Sequence, residues 1–198
     1  MPKPSNRDAF KAAGLSVMFR RGYHGAGVRD VAAEAGVPHG SFTNHFRSKE
    51  AFALEVLDDY FAHTRRLVDE ALGDASLRPR ERLQRYLQIV TERLAADGFV
   101  RGCLIGDFSL ETTQVSEPLR QRLAEIYAEW LKPFAACIAE AQAAGEISDT
   151  FAPEDLADFL LSSWEGAILR MKVERSAAPL DRFRRIAFET VFRERMER

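Results

Sequence analysis

The chain is poor in the features that mark secreted and membrane proteins. It has only two cysteines, Cys103 and Cys137, in 198 residues, which is too few for a disulfide framework. No apolar run approaches the roughly 20 residues of a membrane-spanning helix, and the N-terminal segment has no apolar signal core. We therefore expect a protein of the reducing cytoplasm.

The sequence also lacks the motifs of several enzyme and metal-site classes. It has no phosphate-binding loop of the Walker type and no His-Glu-x-x-His helix. The four histidines, His24, His39, His45 and His63, do not have metal-ligand spacing, and no Ser/His/Asp arrangement is present. We expect a protein that is not an enzyme and that holds no metal and no cofactor.

Helical periodicity dominates what is present. One stripe with the spacing of a buried helical face consists of Phe10, Ala13, Gly14, Val17 and Met18. Further helices are expected from about Lys49 and near 80–97, 103–113, 118–144, 153–173 and 180–197. Ser116 and Asp149 lie where they could cap two of them. Strand-type alternation is absent, so the predicted fold class is all-α, with about nine helices.

Charge is distributed unevenly along a chain whose formal net charge is -2. Residues 1–50 carry eight Lys/Arg against four Asp/Glu, a balance of +4, while the remainder carries 20 basic and 26 acidic residues. A basic head suggests an anionic partner such as nucleic acid. An excess of this size is also common on solvated surfaces, so charge alone leaves both interpretations open.

The segment 22–50 has the pattern of a helix-turn-helix. Gly36 permits a backbone reversal between two short helices, and Pro38 sets the first turn of the second helix. That second helix would bury Phe42 and Phe46 and present small polar side chains outward. Such a face suits a helix that lies in the major groove of DNA.

This segment, which ends in Asn-His-Phe-Arg-Ser-Lys-Glu, resembles the signature of the TetR family of bacterial transcriptional repressors. The resemblance implies an N-terminal helix-turn-helix domain (1–47) that binds double-stranded operator DNA. It also implies a C-terminal helical domain (48–198) for effector binding and dimerisation. The candidate DNA-binding residues are Val28, Arg29, His39, Gly40, Ser41, Thr43, Asn44, His45 and Lys49.

Two of these positions depart from the family pattern. The family usually has Lys where this chain has His39, and it has Tyr, which typically touches the DNA backbone, where this chain has Thr43. Lys49 keeps the family's phosphate contact. The resemblance therefore implies DNA binding with a lower affinity or with a different operator.

The resemblance also implies a homodimer in which the last two helices form a four-helix bundle with the partner. The expected apolar faces are Ala157, Leu160, Leu161, Trp164, Ile168 and Met171 on one helix, and Phe183, Ile186, Ala187, Val191 and Phe192 on the other. Two-fold symmetry would place paired recognition helices about 34–36 Å apart. The alternative is that these faces pack only within one chain.

A second informative segment carries Gly102-Cys103-Leu104 at the start of an expected helix. A helix N-terminus favours a thiolate, and Arg101 would add to this effect. The segment resembles a TetR branch that includes NemR and AcuR, in which a lysine matching Lys172 lies close to the cysteine. The resemblance implies that Cys103 senses electrophiles, oxidants or small unsaturated acids. The alternative for Cys103 is a small buried hydrophobe, which is also how we interpret Cys137.

An effector pocket is expected within the helical body. Its candidate lining is Cys103, Phe108, Tyr127, Trp130, Phe134, Trp164, Glu165 and Lys172. Pro133 should kink its helix, and a kink there could open a cavity beside Trp130 and Phe134. A mostly apolar pocket with a few polar groups suits a small organic molecule. For each aromatic residue taken singly, the alternative is plain core packing.

Together these features predict a ligand- or electrophile-responsive repressor that binds DNA as a homodimer. One alternative is an enzyme that scavenges electrophiles with Cys103, although such an enzyme would need a general base that the sequence does not show. Another alternative is a helical adaptor that no longer binds DNA.

Overall fold

The computed structural model describes residues 5–194, and every regular element in that range is helical. Eight α-helices and one 3₁₀ helix, here called η1, follow one another within these residues. They are α1 (Asn6–Gly25), α2 (Val28–Ala35), η1 (His39–Asn44), α3 (Lys49–Leu72), α4 (Pro79–Ala96), α5 (Leu104–Thr112), α6 (Glu117–Ala143), α7 (Pro153–Glu174) and α8 (Ala178–Glu189). The predicted all-α class is confirmed. Among the same residues, no helix combines the length and the apolar character that crossing a bilayer requires.

The chain divides into two compact units. The first unit contains the described residues up to His63 together with Leu104–Ile126, and the second contains Thr64–Cys103 and the described residues from Tyr127 onward. The expected domain boundary between residues 47 and 48 falls inside the first unit, because the start of α3 packs with the head.

The first unit is built on α1. The Ser5 hydroxyl caps the helix by accepting a hydrogen bond from the Asp8 N–H at 3.2 Å. All five residues of the predicted α1 stripe, from Phe10 to Met18, are buried. Gly14 allows a close helix contact, since a Cβ at that position would lie 2.3 Å from Cζ of Phe52 on α3.

The turn between α2 and η1 follows the sequence prediction. Gly36 adopts a left-handed conformation with φ 63° and ψ 30°, and Pro38 directly precedes η1. The second helix of the motif is shorter than expected, because it is a six-residue 3₁₀ helix and Phe46 lies beyond its end. Gly40 and Thr43 are weak helix formers, which favours a short element here.

The helix ends correct several expectations. Ser116 caps α6 as predicted, since its hydroxyl accepts the Leu119 N–H at 3.2 Å. The predicted cap at Asp149 is wrong: α7 begins at Pro153, and its N-cap position is Ala152. Proline is favoured at a first helical position because it has no N–H to leave unpaired, so this start needs no side-chain cap from Asp149.

Helix α8 is shorter than the expected 180–197. It ends at Glu189, and residues 195–197 of that expectation lie outside the described range. Arg80 on α4 explains the early end, because its guanidinium donates hydrogen bonds to the carbonyls of Phe192 at 2.7 Å and Phe188 at 3.1 Å. The Ile186 carbonyl accepts both the Thr190 backbone N–H at 3.0 Å and the Thr190 hydroxyl at 2.6 Å. The Arg80 guanidinium occupies carbonyls that a longer helix would pair with its own N–H groups.

Candidate DNA-binding face and effector core

A cluster of phenylalanine rings fixes η1 in the first unit. The ring of Phe42 lies 5.5 Å from Phe10 and 5.2 Å from Phe46 and from Phe52, measured between centroids. Phe46 and Phe52 are 4.8 Å apart, nearly edge-to-face. Phe42 and Phe46 are each 3% exposed. Because rings of this size lose much of their contact area if shifted, the cluster holds one side of η1 in place.

The opposite side of η1 is open to solvent. His39, Gly40, Thr43 and Asn44 are exposed, as the sequence predicts, and Ser41 is half-buried. A Cβ added to Gly40 would meet nothing within 4 Å. The packing of the chain therefore does not require glycine at this position. Because glycine has no side chain, another molecule can approach the backbone of η1 closely here.

The hydroxyls of η1 are already ordered. Ser41 donates to the Pro38 carbonyl at 2.7 Å, and Thr43 donates to the Gly40 carbonyl at 3.2 Å. Each hydroxyl oxygen keeps the ability to accept a further hydrogen bond. His45 lies at the end of η1 and packs against Phe10 with a centroid distance of 6.1 Å, so its ring belongs in part to the core.

Half of the eight cations of the head are neutralised within the first unit. Four of them form ion pairs, namely Arg7 with Glu55, Lys11 with Asp59, Arg20 with Glu34 and Arg21 with Asp30. Exposed Arg29 and Arg47 form no ion pair with any residue in the described range. Arg29 is a predicted DNA-binding residue, whereas Arg47 was not expected at the site, because its exposure depends on Phe46 turning inward beside it. Lys3 lies outside the described residues.

Val28 and Lys49 stand at two helix starts. Val28 is the half-buried first residue of α2, whose N-terminal Gly27 N–H donates to the Asp30 carboxylate at 3.3 Å. Lys49 begins α3, and its ammonium donates to the His24 carbonyl at 3.2 Å. Burial lowers the pKa of Lys49. The predicted phosphate-binding lysine is therefore half-buried and held by the chain itself.

In the second unit, Cys103 lies directly before α5 and is 8% exposed. A Cβ on the preceding Gly102 would lie 3.4 Å from Cδ and 4.0 Å from Nζ of Lys172 on α7. Cys103 thus occupies the helix-start position that the sequence predicts. The Lys172 side chain lies next to Gly102, the residue before Cys103.

Aromatic side chains of α4 and α6 pack against one another in the same unit as this thiol. Tyr86 on α4 lies edge-to-face with Phe134, at 4.9 Å between centroids, and Tyr127 stacks on Trp130 at 6.3 Å. Burial raises the pKa of the Tyr86 phenol well above its usual range, and Cys103 contributes in the same direction. Tyr86 was not expected from the sequence, because a single tyrosine on an apolar helix stripe has the pattern of ordinary core.

Two tryptophans carry buried donors that the protein does not satisfy. Trp130 is 3% exposed and Trp164 is 1% exposed, and neither indole N–H completes a hydrogen bond. Trp130 acts to lower the pKa of the Tyr86 phenol, against the larger effect of burial. A carboxylate oxygen of Glu165, the residue after Trp164, is also buried. We call Tyr86, Cys103, Trp130, Trp164 and Glu165 the effector core.

Phe108, a predicted lining residue of the effector pocket, lies outside the effector core. It belongs to the first unit, where it packs against Tyr23 with 5.8 Å between centroids.

Pro133 lies inside α6, and the helix continues through it. A cleft of about 320 Å³ is lined by Arg65, Val68, Asp69, Glu129, Trp130, Lys132 and Pro133.

Cys137 belongs to the core, as expected from the sequence. Its thiol donates to the Pro79 carbonyl at 3.2 Å, and burial raises its pKa to about 12. A thiol with this pKa carries almost no thiolate at neutral pH, and the thiolate is the reactive form.

The α7 face expected at a dimer interface is instead buried within the chain. Its six residues, from Ala157 to Met171, are all buried in the single chain, because they cover the interior of the second unit. The neighbouring face remains open, with Phe159 44% exposed and Ile186 on α8 48% exposed. Together with Gly166, Ala167, Phe183 and Val191 they line a groove of about 290 Å³ between α7 and α8, here called the α7–α8 groove.

A short exposed helix, anchored over a compact core and preceded by a helix and a tight glycine turn, defines a helix-turn-helix protein of the DNA-binding class. No group of three or more metal-ligating side chains occurs among the described residues. Residues 12–56 match the family described as bacterial regulatory proteins, tetR family. Residues 79–187 match the tetracyclin repressor-like C-terminal domain.

Similar proteins extend this match over almost the whole chain. The repressor DhaR of Mycobacterium sp. (strain GP1) is 48% identical over 90% of this chain and 88% of its own length. The regulator AcuR of Cereibacter sphaeroides is 38% identical over 87% of this chain and 79% of its own length. The repressor NemR of Escherichia coli (strain K12) is 31% identical over 88% of each chain. A crystal structure of a regulatory TetR protein from Rhodobacter sphaeroides superposes with a TM-score of 0.88, at 36% identity, and covers 91% of this chain and 96% of that one.

The chain belongs to the TetR family of transcriptional regulators. The helix-turn-helix is therefore its DNA-binding element. The similar proteins are named as transcriptional regulators or repressors.

Proposed function

We propose that this chain is a homodimeric repressor that binds its operator through η1 and leaves it when a small organic molecule or an electrophile reaches the effector core. The observation that carries DNA binding is the joint exposure of His39, Gly40, Thr43 and Asn44 on a helix anchored by Phe42. Side chains of this size let a helix approach base edges and phosphates. The names of the similar repressors DhaR and NemR support repression as the output. A regulator of chromosomal DNA acts in the cytoplasm.

The α7–α8 groove is the proposed dimer interface. Ile186 and Phe159 leave large apolar side chains exposed there, and a second copy would cover them. Replacing Ile186 with Asp should convert the dimer to monomers in light scattering and abolish cooperative binding to two half-sites. Leu110→Asp is the matched control, because Leu110 is an exposed apolar residue of α5 in the first unit and does not line the groove. A dimeric Ile186→Asp protein would contradict this interface.

The effector core favours a ligand with hydrogen-bond acceptor atoms. An unpaired buried donor costs about 1–3 kcal/mol, and Trp130 and Trp164 each carry one. A carbonyl or carboxylate oxygen of a ligand that reaches either indole N–H would remove part of that cost. A mostly apolar small molecule with such an oxygen therefore fits this core better than a nucleotide does.

Cys103 gives the same core a second way to respond. If it reacts with an electrophile, the bound adduct enters the space beside Tyr86 and Lys172. Moving the equilibrium from 1:99 to 99:1 requires roughly 5.5 kcal/mol of preference for the released form, and a covalent bond can supply that much.

A gel shift with duplex DNA from upstream of the chain's own gene tests the repressor proposal against both alternatives. We expect a shift that N-ethylmaleimide reverses in the wild type and in Cys137→Ser, but not in Cys103→Ser. Release of the Cys103→Ser protein by the same reagent would overturn the thiol proposal. An electrophile-scavenging enzyme would consume the reagent catalytically without a DNA shift, and an adaptor would give neither result.

Lys49 is the proposed phosphate contact at the start of α3. Lys49→Ala should weaken binding to all DNA sequences and lower the slope of log affinity against log salt concentration by about one. An unchanged slope would contradict this role.

A further inference from the structure

Helix α1 is kinked at Gly22, close to its C-terminal end, and the turn at this kink is formed around a carboxylate of another helix. Gly22 has φ 69° and ψ 178°, a conformation open essentially only to glycine. A Cβ on Gly22 would lie 2.3 Å from Oε1 of Glu111 and 2.6 Å from Oε2. Glycine at this position therefore makes room for the Glu111 side chain, which comes from the last turn of α5.

Glu111 then binds the next part of the turn twice. Its carboxylate accepts a hydrogen bond from the His24 backbone N–H at 3.2 Å. Its own backbone carbonyl lies 3.1 Å from Nε2 of His24, which must carry the proton there because a carbonyl oxygen only accepts. One residue of α5 thus fixes both the backbone and the ring of His24.

The same turn holds Lys49. The Lys49 ammonium donates to the His24 carbonyl at 3.2 Å and lies 4.7 Å from the centroid of the Tyr23 ring. Glu111 acts in the direction that raises the pKa of Lys49, against the dominant lowering by burial. The carboxylate therefore favours the charged form of the lysine that the proposed function assigns to a DNA phosphate.

The position of this turn matters for DNA binding because α2 begins only a few residues after it. His24 is separated from the start of α2 at Val28 by three residues, two of which are glycines. A glycine-rich connection offers little stiffness of its own. Contacts made at His24 therefore help determine where the first helix of the DNA-binding motif begins.

We propose that Glu111 is a positioning residue for DNA binding, which holds the turn at Gly22–His24 in place and thereby positions Lys49, which is bonded to that turn. This inference rests on DNA binding by the helix-turn-helix. Loss of the Glu111 contacts leaves η1 and its phenylalanine cluster intact, so the exposed side of η1 is still formed. The segment that precedes α2 and the lysine at the start of α3 are then no longer held in place.

The test measures the operator affinity of the full-length chain with duplex DNA from upstream of its own gene, over a series of salt concentrations. Glu111→Ala should weaken binding roughly tenfold, which is the order expected for a hydrogen bond to a charged group. Glu111→Gln keeps an oxygen that accepts the His24 N–H, so it should retain affinity within about threefold of the wild type. If Glu111→Ala does not fold, Glu111→Met, which has a similar length and no acceptor, takes its place.

Glu117→Gln is the matched control. Glu117 lies in the same unit and bonds to Arg120 and Gln121 of its own helix, so this change should leave affinity unaltered. A double-mutant cycle with Lys49→Ala separates positioning from general stability. If Glu111 acts through Lys49, the two losses will not multiply, and Glu111→Ala alone will reduce the salt slope.

Three results would overturn the proposal: wild-type affinity in Glu111→Ala, equal losses in the Ala and Gln variants, or losses that multiply in the cycle. Absence of binding by the wild type would count against DNA recognition at this site instead, so the two failures are distinguishable.

Discussion

The two compact units use polar atoms in opposite ways. In the first unit, five of the nine residues predicted to contact DNA are exposed and the other four are half-buried. The hydroxyls of Ser41 and Thr43 are already hydrogen-bonded to nearby backbone. In the second unit, the indole N–H groups of Trp130 and Trp164 are buried and incompletely bonded. A surface that meets a rigid duplex gains from being formed in advance, because ordering it later costs entropy. A core that must admit a ligand gains from polar atoms that the ligand can satisfy.

The sharpest test of this difference concerns the part of the second unit that is fully satisfied. Because burial raises the pKa of Cys137 to about 12, its thiolate becomes abundant only as pH rises toward that value. At pH 8, alkylation of Cys137 in the folded protein should be roughly a thousandfold slower than for an ordinary thiol with a pKa near 8.5. Iodoacetamide labelling with peptide mass mapping, with urea-unfolded protein as the control, measures this ratio. Comparable rates would show that this region opens readily.

The anchor of the DNA-binding face should be almost as sensitive. Phe42→Ala removes a 3% exposed ring from a cluster of four phenylalanines, so we expect a loss of about 3–5 kcal/mol in unfolding free energy. Thr43→Ala, at the exposed neighbouring position, should change stability by less than about 0.5 kcal/mol. Urea denaturation of both variants checks the contrast, which fails if the two losses are similar.

Two glycines of the first unit should differ by a smaller amount. Gly36→Ala forces a left-handed backbone in open space, at a cost of about 1–2 kcal/mol. Gly22→Ala adds a close contact with Glu111 to an unfavourable conformation, so it should cost more, about 2–3 kcal/mol. Thermal unfolding ranks the two variants, and the reverse order would exclude the arrangement around Glu111.

The smallest effect is expected in the effector core. Trp164→Phe removes an unsatisfied N–H while keeping an aromatic ring, so its loss of packing is partly offset and the net change should be within about 1 kcal/mol. Phe134→Leu serves as an apolar control without a buried donor. If Trp164→Phe destabilises the protein by several kcal/mol more than the control, the indole N–H has an acceptor in solution.

Several features were readable from the sequence because they depend on neighbours along the chain. The α1 stripe, the turn at Gly36 and the Ser116 cap all follow from residues a few positions apart, and all three are confirmed. The expected cap at Asp149 failed since a proline at the first position of α7 leaves less for a cap to satisfy. The end of α8 was placed too late because Arg80, which is remote in sequence, binds its last carbonyls.

The charge of the head also depends on residues that are remote in the sequence. A count of residues gives an excess of cations, yet four of them are paired with acids, two of which, Glu55 and Asp59, lie beyond residue 50. Arg47 is exposed and forms no ion pair among the described residues, whereas Arg7 is paired with Glu55. This difference depends on where each arginine lies in the folded head.

The sequence alone determined the helical class, the helix-turn-helix and the place of Cys103 before a helix, since hydrophobic period, glycine and proline act locally. Only the tertiary structure decided which face of α7 stays open, that Tyr86 joins the effector core, and that Glu111 holds the turn at His24. Each of these depends on contacts between residues far apart in the chain, which burial and close packing create and which no local pattern records.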